Sequence, residues 1–416
     1  MISRTRLKSI VALLTSFLVM SVGHGLLNTL TGIRATEEQY SDFLIAGFTS
    51  GYYLGFIAGT YIAGRWIAKV GHIRTFAACA TLASSLALGL VLLVSPASWL
   101  IFRTIYGMCV AGLYMVIESW LNGTSKNDER GKILSIYMII SYLGIVLGQG
   151  VIYVASTEGF ALFAVCSILL SVCLVPLTVS NSVQPELPAQ GKLQPMKLFR
   201  ISPLAVIGCF CAGLILGSFW GFGPVFLIRL GFSAGDAAFF VGATQLGGLL
   251  LQWPIGSLSD RFDRRVVIGG TALLGAISSV VLFFMLYAGT NSVTIPFFVA
   301  CVLFGGSNYA IYSLCIALIN DFLSPEDLVK ASGGLLALHA VGAVAGPLAA
   351  SGVMAMAGAN GFMIYNFVIS LFIAGVALFQ LKKGRKIPEE TSESFVPLPR
   401  TGVGVLSLDP RGEDPK

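Results

Sequence analysis

The sequence predicts an all-α integral membrane protein of twelve transmembrane helices in two pseudo-symmetric six-helix bundles, and three observations predict it. The 416 residues are 56% hydrophobic and only 11% charged, with a mean hydropathy of +0.84, outside the range of soluble globular chains. The apolar residues come in runs of about 20, the length that a helix rising about 1.5 Å per residue needs to cross a hydrocarbon layer of about 30 Å. A charged turn, Gly256 to Arg265, stands between two such runs and recurs in looser form 192 residues earlier, at Gly64 to Arg74.

The first six spans fall at roughly 10 to 31, 43 to 63, 75 to 95, 98 to 121, 133 to 155 and 160 to 180. Arg4, Arg6 and Lys8 precede the first of them in the manner of a signal peptide, but the apolar stretch is long and lacks a small-residue cleavage site, so an uncleaved first helix is expected. A polar segment, 181 to 202, contains Pro185, Pro188 and Pro195 and reads as a flexible cytoplasmic linker. The second six spans fall at roughly 203 to 227, 237 to 257, 266 to 288, 296 to 319, 332 to 356 and 362 to 381. The tail, 383 to 416, is rich in proline and mixed charge and is expected to be disordered. The two bundles are thus residues 1–180 and 203–382.

Lysine and arginine accumulate in cytoplasmic segments. The N-terminus, the tail and the alternate loops beginning at Gly64 hold 23 of the 26 basic residues, whereas the opposite side holds only Arg34 and Arg229. Both termini are therefore expected in the cytoplasm. The remaining basic residue, Arg103, lies inside a span.

The halves repeat. At an offset of 198, Gly107, Tyr114, Asn122, Lys132, Gly144 and Gly148 meet Gly305, Tyr312, Asn320, Lys330, Gly342 and Gly346. Duplication of a six-helix unit is the economical explanation, and in secondary transporters such repeats flank a midplane substrate site. Other classes find little support. The net charge of +6 is distributed by membrane side and does not indicate a nucleic-acid partner. All eight cysteines fall in apolar runs, without the loop spacing of a disulfide framework or metal site. There is no phosphate-binding glycine loop, no nucleophile and base pair, and no cofactor motif, so neither an ATP-driven pump nor an enzyme is expected, and no cofactor or metal.

Twelve spans in two related halves joined by a polar linker resemble the major facilitator superfamily, whose signature is the turn after the second helix of each half. Gly256, Asp260, Arg261, Arg264 and Arg265 stand where the pattern Gly-x-x-x-Asp-Arg-x-Gly-Arg-Arg places them, with Asp263 at its second Gly. The first copy keeps Gly64, Lys69 and Gly71, but Ala68 replaces the acid and His72-Ile73 the basic pair. In the family this loop latches the cytoplasmic side through charge pairs, so the resemblance implies gating loops at these eight positions, weighted to the second half. Arg103-x-x-x-Gly107-x-x-x-Ala111 resembles the fourth-helix motif of proton-coupled members, while Gly148-Gln149 departs from the Gly-Pro of the family's antiporters. Glu118-Ser119, Gly123-Thr-Ser125, Arg130-Gly131, Tyr137-Met138 and Tyr142 to Gln149 look like the YcaD-like bacterial inner-membrane branch. That likeness implies a bacterial inner-membrane location and brings no substrate with it.

An arginine near a helix centre costs about 2.5 to 3.5 kcal/mol on insertion scales and normally faces a cavity or partner, the competing expectation being a side chain that reaches back to the membrane surface. Arg103, Gly107, Tyr114 and Glu118 lie within about 60° of one another on the fourth helix, a single polar stripe. Glu118 is the acid well within a span. It is a candidate proton carrier, since burial favours the neutral carboxyl, or the acid of an ion pair with the basic loops nearby. His24 and Asn28, one turn apart on the first helix, can bind a polar solute or exchange a proton, or tie helices together. Asn308 and Tyr312 repeat that spacing on the tenth helix. Trp220 adjoins Gly221, Gly223 and Pro224, where the seventh helix can bend. Tyr52, Tyr53, Gln245 and Gln252 are further polar groups, and His339 is expected to be packing.

These residues describe a site with no carboxylate on the first two helices, suited to a polar or anionic small molecule with protons as the coupling ion. The expected function is secondary active transport by alternating access. The alternatives are a drug or metabolite efflux antiporter, and a membrane sensor that kept the fold and lost transport.

Overall fold

The computed structural model describes residues 4–124, 129–178, 195–288, 294–323, 325–383 and 395. The helices are α1 (Arg4–Glu37), α2 (Asp42–Val70), α3 (His72–Leu92), α4 (Pro96–Thr124), α5 (Arg130–Val151), α6 (Ala161–Val172), α7 (Val175–Thr178), α8 (Pro195–Ile201), α9 (Pro203–Arg229), α10 (Ala234–Ser259), α11 (Arg264–Tyr287), α12 (Ile295–Asn320), α13 (Pro325–Ala357) and α14 (Gly361–Lys383). Among the described residues, twelve stretches are long and apolar enough to cross a membrane, α6 and α7 together making the sixth, Ala161–Thr178. Their ends lie within about three residues of the expected ones except at Glu37 and Val70, where the first two helices run on for six and seven residues more, because a helix does not stop where the hydrocarbon does.

Local chemistry sets the ends. Ser202 accepts from the Ala205 N–H ahead of Pro203, Ser233 and Asp236 form a reciprocal capping box on α10, and Thr294 caps α12 ahead of Pro296. Gly71, at φ +87°, turns α2 into α3 with no intervening loop. The segment expected to be a flexible linker contains α8 at its end: Leu198 is buried and Lys197 pairs with Asp327 at 3.6 Å, so a short amphipathic helix forms there. The rest of the linker, and the tail apart from Phe395, lie outside the described residues.

The chain divides into two compact units, one carrying α1–α7 and the other α8–α14 with Phe395. In the first, α1 packs on α5 and α6, α2 on α4, and α3 on α4 and α6. In the second, α9 packs on α13, α10 on α12, and α11 on α12 and α14. Glycines bring backbones into contact at equivalent places. A Cβ on Gly107 would strike the Tyr52 carbonyl, and one on Gly305 the Thr244 carbonyl; one on Gly148 would strike the Val22 carbonyl, and one on Gly346 the Leu214 carbonyl. Both carbonyl pairs are 192 apart and both glycine pairs 198, so the repeat conserves which backbones touch. Gly51, Gly55 and Gly59 press on α4, whereas Gly47, the fourth member of that stripe, faces open space. Large apolar side chains such as Leu92, Trp253, Phe284 and Leu378 are exposed, as a lipid-facing surface requires.

Candidate functional site

Three helices of the first unit assemble one polar site around Arg103, which is only 4% exposed. Its Nη2 donates to Asn28 Oδ1 at 2.8 Å. Asn28 Nδ2 donates in turn to His24 Nε2 at 3.0 Å. With Nε2 accepting, the imidazole proton sits on Nδ1, which lies 3.1 Å from the Tyr106 hydroxyl. The guanidinium lies over two rings, 4.9 Å from the Tyr52 centroid and 5.5 Å from that of Tyr106, where cation–π attraction holds it. Tyr114 meets the His24 ring edge-on at 6.3 Å. Arg103 Nε and Nη1 are buried without a hydrogen-bond partner among the described residues.

The expected pairing of His24 with Asn28 is therefore present, and both join Arg103 from 75 or more residues away in sequence. Arg103 turns into the bundle and does not reach for the membrane surface. Tyr106 is the residue that sequence reasoning missed; its signal was the three-residue spacing from Arg103, which places it on the same helix face.

The stripe expected down α4 divides. Gly107 is consumed by the close approach to α2. Glu118, fifteen residues beyond Arg103 and so about 22 Å along the axis, belongs to another place: its Oε1 accepts from the Tyr137 hydroxyl of α5 at 2.8 Å. Phe17 stacks on Tyr137 at 4.3 Å with the rings 5° from parallel. Glu118 is fully buried, and its Oε1 is held by a phenol, whereas an ion pair with the basic loops is the other expectation from the sequence.

In the second unit, Asn308 and Tyr312 separate. Asn308 lies beside Gly275 with Ser307 and Ser370, and a Cβ at Gly275 would be 3.1 to 3.3 Å from the three side-chain oxygens. Tyr312 faces α13, its ring 4.9 Å from that of His339. His339 Nδ1 lies 3.3 Å from the Cys209 carbonyl, which agrees with a packing role. Trp220 is half-buried, edge-on to Phe219 at 5.6 Å, within a helix that contains Pro224. Gln245 bonds the Tyr309 hydroxyl, and Gln252 donates to Ser313 at 2.9 Å, so both tie α10 to α12.

Of the loop residues, Lys69 is exposed at the end of α2, while Gly64 and Gly71 are half-buried. The second loop is a charge network. Arg264, 2% exposed, donates through Nε to Asp321 at 2.8 Å, through Nη1 to Ser259 at 3.0 Å, and lies 3.3 Å from Asp260. Arg265 pairs with Asp263 at 2.6 Å and reaches the Gln380 carbonyl at 3.2 Å. Asp263, which stands where the signature has Gly, caps α11 by accepting from the Arg265 N–H at 2.9 Å. The hydrogen bonds from Arg265 hold its carboxyl below the ordinary 3.8. This contribution to stability is present above the ordinary carboxylate range and is lost as pH falls below it. Arg261 is exposed. The substitution Asp321→Asn is expected to strip a buried cation of its closest counter-charge and to cost about 3 kcal/mol, read as a lower unfolding temperature in detergent. Asp260→Asn is expected to cost less, because Asp260 is 33% exposed.

The family model described as Major Facilitator Superfamily matches residues 10–252 and 230–411. An uncharacterized MFS-type transporter of Yersinia enterocolitica is 27% identical over 391 residues, covering 93% of this chain and 98% of that one. The uncharacterized MFS-type transporter YcaD of Escherichia fergusonii is 28% identical over 344 residues, 82% of this chain and 87% of the relative. Among solved structures, the nucleoside transporter NupG superposes with a TM-score of 0.69 at 14% identity, covering 90% of this chain and 97% of that one. A D-xylose-proton symporter does so at 0.69 and 16%, covering 94% and 99%. Family match, full-length relatives and fold agree, and the chain belongs to the Major Facilitator Superfamily, as a multi-pass membrane transporter.

Proposed function

We propose that this protein is a secondary active transporter of the bacterial inner membrane, termini in the cytoplasm, which moves a small polar or anionic solute together with protons by alternating access. The observation that carries the substrate class is the buried Arg103 guanidinium, whose Nε and Nη1 have no hydrogen-bond partner among the described residues. A guanidinium stays charged at any working pH, and a charge held at bilayer depth without an acid is costly. A solute carboxylate or similar acceptor supplies what the site lacks.

The hydrogen-bond chain couples proton and solute. A second proton on His24 has to enter at Nε2, where Asn28 Nδ2 now donates. Two donors cannot face each other, so Asn28 turns its amide to accept, and the Oδ1 that Arg103 holds is withdrawn. Protonation thus frees a further Arg103 N–H and places a second positive charge beside the first, and an anion relieves both. Proton and anion binding favour each other, the linkage of a symporter. The D-xylose-proton symporter shares the fold, and the basic residues on alternate loops support the orientation.

The test uses purified protein in proteoliposomes with an internal pH dye and an imposed proton gradient, challenged with solutes sorted by charge. An anion-dependent internal acidification that His24→Gln loses, while downhill counterflow of the same solute persists, supports the proposal. A pH response of opposite sign, or one driven equally by cations, overturns it. Glu118→Gln separates the two proton carriers: retention of the Tyr137 bond with loss of coupling places Glu118 in the proton path, whereas unchanged coupling leaves His24 alone.

A further inference from the structure

The loop end of α10 holds a contact that the transport reading does not use. The Phe395 N–H donates to both oxygens of Asp260, at 2.8 and 3.0 Å. The ring of the same residue lies on the Gly256 backbone, where any Cβ would collide with it. Phe395 is only half-buried, and it stands 12 residues beyond the last residue of α14, Lys383. A leash of that length spans at most about 40 Å when extended, ample for a return to the same unit.

We infer that the α10–α11 loop is a docking surface for the chain's own C-terminal tail, with Phe395 as its anchor in a notch made by Gly256 and Asp260. Two independent recognitions meet in one residue: a backbone donor on a carboxylate, and an aromatic ring against a bare Cα. Such a charge-assisted hydrogen bond is stronger than a neutral one. Charge agrees along the sequence. Glu389, Glu390 and Glu393 precede the anchor in the sequence, and the loop exposes Arg261. Asp260 is suited to receive the tail because Arg264 is turned mainly to Asp321, 2.8 Å against 3.3 Å, so the loop acid keeps capacity for another donor. Tethering raises the local concentration of the anchor, so a contact too weak to hold a free peptide tightly is occupied in the intact chain. Phe395 is thereby held on the loop that carries the family signature.

The experiment needs no substrate and so stands apart from the transport proposal. Amide exchange of the Phe395 segment is measured by mass spectrometry on the full-length protein in nanodiscs. Wild type is expected to show about tenfold protection of the Phe395 amide over an unstructured peptide, the scale of one hydrogen bond to a charged group. Gly256→Ala, whose methyl occupies the ring's seat, and Asp260→Ala, which removes the acceptor, are both expected to lose it. Gly270→Ala, which meets open space, is expected to keep it. Exchange at the unstructured rate in wild type, or protection retained in both notch variants, overturns the inference. If a notch variant fails to fold, protein truncated after Lys386 is titrated with a labelled peptide of residues 388–400. Binding that Phe395→Ala in the peptide abolishes supports the anchor; equal binding of both peptides, or of neither, overturns it.

Discussion

Arg103→Ala is expected to reduce solute flux at least about 100-fold, the equivalent of about 3 kcal/mol of lost binding to a buried charge. It is also expected to leave the unfolding temperature unchanged or higher. Among the described residues the guanidinium has one hydrogen bond, from Nη2 to Asn28, two rings beneath it and two unpartnered nitrogens, so its removal relieves a buried charge at little cost in contacts. A structural residue behaves the opposite way, with flux falling only as the folded fraction falls. Arg103→Lys keeps the charge and loses the planar fork; its flux is expected between the two, about tenfold down, with a stronger loss for carboxylates that dock bidentately. Initial rates in proteoliposomes and thermal unfolding in the same detergent decide the matter together. A lower unfolding temperature with proportionate loss of flux would mark Arg103 as a structural tie.

The second large effect is expected at a position with no polar chemistry. Gly107→Val forces α4 off the Tyr52 carbonyl, and neither backbone has anywhere to retreat, because Gly55 presses α2 onto the Thr104 backbone in the same seam. Overpacking of this kind costs about 3 kcal/mol, and in a membrane, where van der Waals packing is a main attraction between helices, it is expected to abolish monodisperse folded protein. Gly305→Val is expected to do the same in the second unit, against the Thr244 carbonyl. Gly47→Ala faces open space and is expected to be neutral. Fluorescence-detected size exclusion of the three variants measures this; a monodisperse Gly107→Val would show that the seam can open. Tyr52 also stands over Arg103, so any Gly107 variant that does fold is expected to bind solute less well.

The relation between sequence and structure differs between these two cases. The importance of Gly107 was visible twice, in its resemblance to a fourth-helix motif and in its repeat at Gly305, because a duplicated backbone contact leaves the same small residue in both copies. Arg103 was visible as a cost: an isolated basic residue in an apolar run demands an explanation wherever it points. The partners were not visible. Asn28 lies 75 residues from Arg103, and Asp321 lies 57 from Arg264. Nothing in the spacing of one helix says which rotation a second helix presents to it. The polar stripe on α4 shows the limit well. Periodicity placed Arg103, Gly107, Tyr114 and Glu118 on one side of a cylinder, but α1, α2 and α5 approach that side at different heights and divide it into a charged site, a bare seam and a separate carboxyl–phenol pair.

Sequence alone determined the membrane solvent, the twelve spans, the two related halves and the family, because these follow from quantities local to a segment: apolar length, the placement of basic loops, and residues repeated at an interval. Tertiary structure alone decided that His24, Asn28 and Arg103 form one hydrogen-bond chain, that Asn308 and Tyr312 serve different neighbours, and that Phe395 returns to Asp260. Those are choices of side-chain direction among helices that are equally apolar outside, and they are set by which backbones can come close enough to touch.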